Sequence, residues 1–226
     1  MVWDWSVRRQ FILALGLSSI VGVGLFFYSS LLGHSFQYDY LLWNLLLAWV
    51  PILLAVRLVH VLAHKLWSSW EALGLSILWL LFLPNSFYMI SDFIHLSNAP
   101  VGQVLFYAVT FTSIIYSAVV LGFLSLYIIH VELRKRLGSR EAGQWIAMTL
   151  LLCSLAIYIG RDLRWNSWDV LTNPGGIIFD ISDRLMHIST YSQLLSTAGV
   201  FFVLLGSMYI LAWSGLKLLR QTPKID

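Results

Sequence analysis

The sequence predicts an all-α, polytopic membrane protein: six transmembrane helices, with an outer interfacial amphipathic helix between spans five and six. Three observations predict it. First, 59% of the 226 residues are hydrophobic and 11% charged, with mean hydropathy +0.79, whereas soluble domains carry about 25% charged residues. Second, six windows hold the ~20 apolar residues that cross ~30 Å of hydrocarbon. They fall at about 11–32, 40–62, 70–91, 104–130, 142–161 and 195–216, and form one transmembrane domain over 1–226. Third, with six crossings eleven Lys and Arg residues fall on the side of both termini, from Arg8, Arg9 and Lys65 to Lys217, while only Arg161, Arg164 and Arg184 fall opposite. By the positive-inside rule both termini are cytoplasmic, and the chain is a multi-pass protein of the cell membrane whose first partner is the lipid bilayer.

The basic start "MVWDWSVRRQFILALGLSSIVGVGLFFYSSLL" precedes an apolar run longer than the ~7–15 residues of a cleavable signal, so span one is expected to be retained. In span two Asn44 stands in line with Ala48, Pro51 and Ala55, a row suited to close helix packing. His60 and His64 have the spacing of paired metal ligands but sit beside Arg57 and Lys65, where interfacial anchoring is the simpler account. Span three ends in "LPNSFYMISDFIHL", residues 83–96. Pro84 lacks an N–H and interrupts the helical ladder, and a short helix continues beyond it. At ~100° per residue Asn85, Tyr88, Asp92 and His95 share one stripe, with Phe87, Ile90, Phe93 and Ile94 elsewhere. The plain reading is a solvated helix end; the functional one needs a partner stripe. In span four Thr110, Ser113 and Ser117 recur at helical spacing, either bonding their own backbone and neighbours or marking a polar path.

The fifth connection, "GRDLRWNSWDVLTNPGG", puts Arg161, Arg164, Trp165 and Trp168 at helical spacing, with Asn166 and Asp169 beside them. Tryptophan and arginine anchor helices at interfaces, yet this side is poor in positive charge. A guanidinium fork here matches Asp92 or an anionic headgroup equally well. After the Asn173-Pro174-Gly175-Gly176 break, "IIFDISDRLMHISTY" (177–191) sets Asp180, Asp183, Arg184 and His187 against Ile177, Ile178, Ile181, Leu185 and Ile188. That is the pattern of an interfacial helix, with or without a role as a lid.

The single Cys153 excludes a disulfide framework and a thiolate metal site within one chain. The formal charge of +3 reports topology and gives no nucleic-acid reading. There is no nucleophile elbow, phosphate-binding loop or dinucleotide fingerprint, since Gly22-x-Gly24 within a span is too little for the last. Asp92-x-x-His95 can present two ligands to a divalent metal, completed by His34, Asp169 or His187, but two ligands do not define a site. For catalysis, His95 with Asp92 is the acid–base candidate and Tyr88 a stabilising donor.

The segments "LLWN" at 41–44, "LPNSFYMISDFIHL" at 83–96 and "YIGRDLRWNSWDVL" at 158–171 resemble the bacterial membrane-protein family called domain of unknown function 1361. Its middle pattern, N-A-P-Y followed by T-D and H-L, is matched at Asn85, Tyr88, Asp92 and His95 and departed from at Ser86, Phe87 and Ser91. The resemblance implies a polytopic membrane protein and no defined activity, substrate or cofactor. The expected function is an extracytoplasmic polar pocket of Asn44, Asn85, Tyr88, Asp92, His95, Arg161, Arg164, Trp165, Asn166, Trp168 and Asp169 that binds or modifies a lipid-linked or anionic envelope component. A small transporter or channel is the alternative if a polar path continues past Ser113 and Ser117, and a membrane scaffold if the polar groups satisfy one another in ion pairs.

Overall fold

A computed structural model describes residues 5–31, 38–99, 102–163, 165, 169–186 and 192–221. They form α1 (Trp5–Leu31), α2 (Tyr40–Leu62), α3 (Trp70–Tyr88), the 3₁₀ helix η1 (Met89–Asn98), α4 (Val104–Leu137), α5 (Ser139–Asp162), α6 (Asp169–Thr172), α7 (Pro174–Met186) and α8 (Ser192–Gln221). No strand occurs among the described residues. Five helical stretches are long and apolar enough to cross a membrane: Tyr40–Leu62, Trp70–Asn98, Val104–Leu137, Ser139–Asp162 and Gln193–Leu218. The chain is thus an all-helical, multi-pass membrane protein. The apolar part of α1 covers Ile12–Tyr28, 17 residues, or about 26 Å of helix against ~30 Å of hydrocarbon.

The chain divides into two compact units, 1–125 and 126–226, with the boundary inside α4. In the first, α2 and α3 pack closely as an antiparallel hairpin. Buried Ala48, Pro51 and Ala55 on α2 keep side chains out of the way, and Ser86 Oγ donates to Ala48 O at 3.4 Å. The hairpin closes on charge. Glu71, in the first turn of α3, binds Arg57 Nη2 at 2.9 Å and Lys65 Nζ at 2.6 Å, while Ser69 Oγ caps the helix by accepting from Ala72 N at 3.4 Å. Trp79 Nε1 donates to Ser125 Oγ at 2.7 Å, both buried. Gly22 of α1 lies against Ile114 of α4, where a Cβ would meet Cγ1 at 3.0 Å.

In the second unit α5 and α8 pack along heptad-like rows: Ile146, Leu150, Cys153 and Ile157 facing inward on one, Leu194, Ala198, Leu205 and Tyr209 on the other. Gly138 alone joins α4 to α5, with φ +88°, a left-handed backbone that a side chain strains. On the final turns of α4, His130 Nδ1 is 2.8 Å from Tyr209 Oη, and its ring stacks on Trp213 at 4.1 Å. Arg134 lies over the same indole at 5.2 Å. Nearly buried Glu132 is neutralised by Lys135 at 2.7 Å and Arg136 at 3.1 Å.

Candidate functional site

The α2–α3 register sets the site. Since Ser86 meets Ala48, the turn of α2 that carries Asn44 stands level with the place where α3 gives way to η1. The sequence predicts a break at Pro84. Instead α3 runs through Pro84 to Tyr88, and the backbone tightens to 3₁₀ only from Met89. Proline's fixed φ suits a helix already formed, at the cost of one missing bond, and Asn85 Nδ2 donates to Phe82 O at 3.1 Å within the same turn.

The 3₁₀ winding changes the stripe. At three residues per turn, positions i and i+3 eclipse. Met89, Asp92 and His95 therefore fall in one line, and Tyr88 lies about a third of a turn away. Met89 is buried, Asp92 is 1% exposed and His95 is half-buried. Phe93 and Ile94 are exposed, and Phe87 is buried.

Aromatic rings gather around His95. Its imidazole is 5.6 Å from the Tyr40 ring and 6.4 Å from that of Tyr38. Tyr38 in turn meets Tyr107 at 5.9 Å and Phe111 at 5.3 Å. Burial, then the neighbouring Tyr107, pushes the Tyr38 phenol above its ordinary pKa, so it stays a neutral donor. The sequence reading missed Tyr38, Tyr40 and Tyr107. "QYDYLLW" and "FYAVTF" offered a signal, two aromatic-rich flanks of apolar helices, that composition alone assigns to an aromatic belt. Asn44 is half-buried and makes no side-chain hydrogen bond among the described residues.

The hydroxyls of span four are engaged locally. Thr110 Oγ1 donates to Phe106 O at 3.0 Å and Ser117 Oγ to Ser113 O at 2.9 Å. With its proton so used, Ser117 accepts from Ser18 Oγ at 2.7 Å. Backbone bonding and helix contact account for the hydroxyls of Thr110 and Ser117.

In the second unit Arg161 is half-buried in the last turn of α5. Trp165 Nε1 donates to Asp180 Oδ2 of α7 at 2.9 Å, Arg184 Nε to Tyr158 Oη at 3.3 Å, and Thr172 Oγ1 to Asp169 Oδ1 at 3.4 Å. The bonds of Asp180 and Arg184 turn part of the polar side of α7 toward the protein, and Ile178, Phe179 and Met186 are exposed. Arg164, Asn166 and Trp168 lie outside the described residues, as do His34 and His187. Among the described residues no three His, Cys, Asp or Glu side chains come together as a metal site.

A family model described as "Protein of unknown function (DUF1361)" matches residues 43–210. The chain belongs to this family. The DUF1361 match takes in Asn44, the 83–96 stretch, the Arg161–Asp169 connection and the five long apolar helices for most or all of their length, while α1 lies outside it. No curated protein and no solved structure matches the chain.

Proposed function

We propose that the chain binds a lipid-linked or otherwise anionic component of the cell envelope on the outer side of the membrane, in a six-span arrangement with both termini cytoplasmic. The observation that carries this reading is Asp92: a carboxylate 1% exposed, in line with His95 at the end of an apolar hairpin. Burying a carboxylate costs several kcal/mol before compensation, and ionisable groups at membrane depth mark function more than packing. Asp92 orients or charges the His95 imidazole, His95 exchanges a proton with the ligand, Asn44, Asn85 and Tyr88 supply hydrogen bonds, and the tyrosine rings hold the imidazole in place. Arg161 and Arg164 are assigned to anionic oxygens, and Trp165, Asn166, Trp168 and Asp169 to ligand binding. In this reading α7 rests in the outer interface, its Ile178, Phe179 and Met186 turned to lipid.

Copurification decides it. Wild type, Asp92→Asn, His95→Gln and Arg161→Gln are extracted from membranes and their bound lipids and ions identified by mass spectrometry. The expected result is equal accumulation in the membrane, an enriched anionic or lipid-linked species in the wild type, and its loss from the variants. Failure of the variants to accumulate would assign the groups to structure; the absence of any enriched species overturns the reading.

A further inference from the structure

We propose that the groove between α1 and α2 in the first unit is a binding site for one alkyl chain of a membrane lipid. The groove has a volume of about 370 Å³ and is lined chiefly by Ser19, Ile20 and Val23 of α1 and Leu45, Leu46 and Trp49 of α2, within the range of small-molecule sites. Its lips are aliphatic, with Ile20 68% and Leu46 55% exposed, and no charged side chain lines it. Because α2 crosses the membrane, the groove opens sideways into hydrocarbon, and a chain of methylenes is the occupant that this setting delivers.

Ser19 separates a built groove from an ordinary lipid-facing surface. The other buried serine and threonine hydroxyls described in this unit have partners: Ser86 with Ala48, Thr110 with Phe106, Ser117 with Ser113, and Ser125 with Trp79. Ser19 Oγ is buried and has none. It therefore contributes no hydrogen bond to the fold; what it contributes is small size. Along the inward row of α1, Leu15 and Phe26 fill their places, and Ser19 leaves the gap that the groove occupies. Three of the seven lining residues come from α1, outside the DUF1361 match, and the site stands independently of the headgroup reading above.

The test uses the full chain in nanodiscs of phosphatidylethanolamine and phosphatidylglycerol doped with a phospholipid that carries a diazirine on one acyl chain. After illumination, labelled peptides are mapped by mass spectrometry. Residues 19–23 and 42–49 should be labelled about fivefold or more above the exposed α8 face of Ile210 and Leu211. Ser19→Leu, which fills the gap, should bring labelling down to the α8 level with headgroup copurification unchanged. Should Ser19→Leu fail to fold, Leu46→Trp at the lip takes its place, with the same loss expected. Equal labelling of both faces, unchanged labelling in a folded groove variant, or a cross-link to a second copy of the chain at these residues overturns the proposal.

Discussion

A methyl group at Gly122 would stand 2.7 Å from Ser86 Cβ and 2.9 Å from Phe87 Cε1, and both of those side chains are fully buried. Neither can yield without moving the turn of α3 that leads into η1. Gly122→Ala is therefore expected to cost about 1–3 kcal/mol, seen as a lower thermal midpoint in detergent. Gly24→Ala, with nothing within 4 Å, should be neutral or slightly stabilising; equal losses for the two would refute the close contact. The contrast also shows which residues could be read in advance. Asp92 and His95 are conspicuous because ionisable groups are rare in so apolar a chain. Gly122 looks like any small residue of a span until its neighbour across the packing is known. Tyr38 and Tyr40 were equally opaque, because membrane proteins place tyrosines at their edges for reasons unrelated to His95.

At the scale of elements, α7 shows how local chemistry fixes a helix. Asn173 Oδ1 accepts from Gly176 N at 3.1 Å, three residues on, with Pro174 at the first helical position: the arrangement of a capped N-terminus. Gly176 has no room for a side chain, since a Cβ would stand 2.7 Å from Asn173 Nδ2 and 2.9 Å from the Trp165 ring. Asn173→Ala should cost about 1 kcal/mol, and Trp165→Phe about 0.5–1.5 kcal/mol through loss of the bond to Asp180. Limited proteolysis reads both as faster cleavage between residues 163 and 192, with Asn173→Asp retaining the cap and the wild-type rate. If all three variants cleave alike, the cap is immaterial. The helical period of α7 was legible because it is local, but the helix begins at Pro174, inside the Asn-Pro-Gly-Gly stretch read as a break, because proline's fixed φ suits the first helical position. The form of η1 was not legible. A sequence period near 100° per residue fits α and 3₁₀ windings over two turns, and the difference of about 20° per residue decides whether Tyr88 shares a face with Asp92. Only packing of Met89 and Asp92 against the rest of the first unit selects between them.

For the whole molecule, the side on which the N-terminus lies depends on whether α1 crosses. The apolar part of α1, Ile12–Tyr28, covers about 26 Å, and a mismatch of ~4 Å costs only fractions of a kcal/mol per Å, which a locally thinner bilayer accommodates. Charge argues for crossing. With α1 across, eleven positive residues face three; returning Arg8 and Arg9 to the other side would leave nine against five, a far weaker bias. The lone thiol, buried Cys153, makes the question tractable, since a Cys153→Ser background frees the chain for single reporter cysteines. Ser68, Ser97 and Ser139 are exposed. In intact cells a membrane-impermeant maleimide should label Ser97→Cys, whereas Ser68→Cys and Ser139→Cys should react only after permeabilisation. A protease tag at the N-terminus should share the protection of Ser68→Cys. An N-terminus exposed while Ser68→Cys remains protected would mean that α1 does not cross and that its groove lies along a helix resting at the surface. Labelling of Ser68→Cys from outside would turn the hairpin over and place Asp92 and His95 in the cytoplasm, where an envelope ligand cannot reach them.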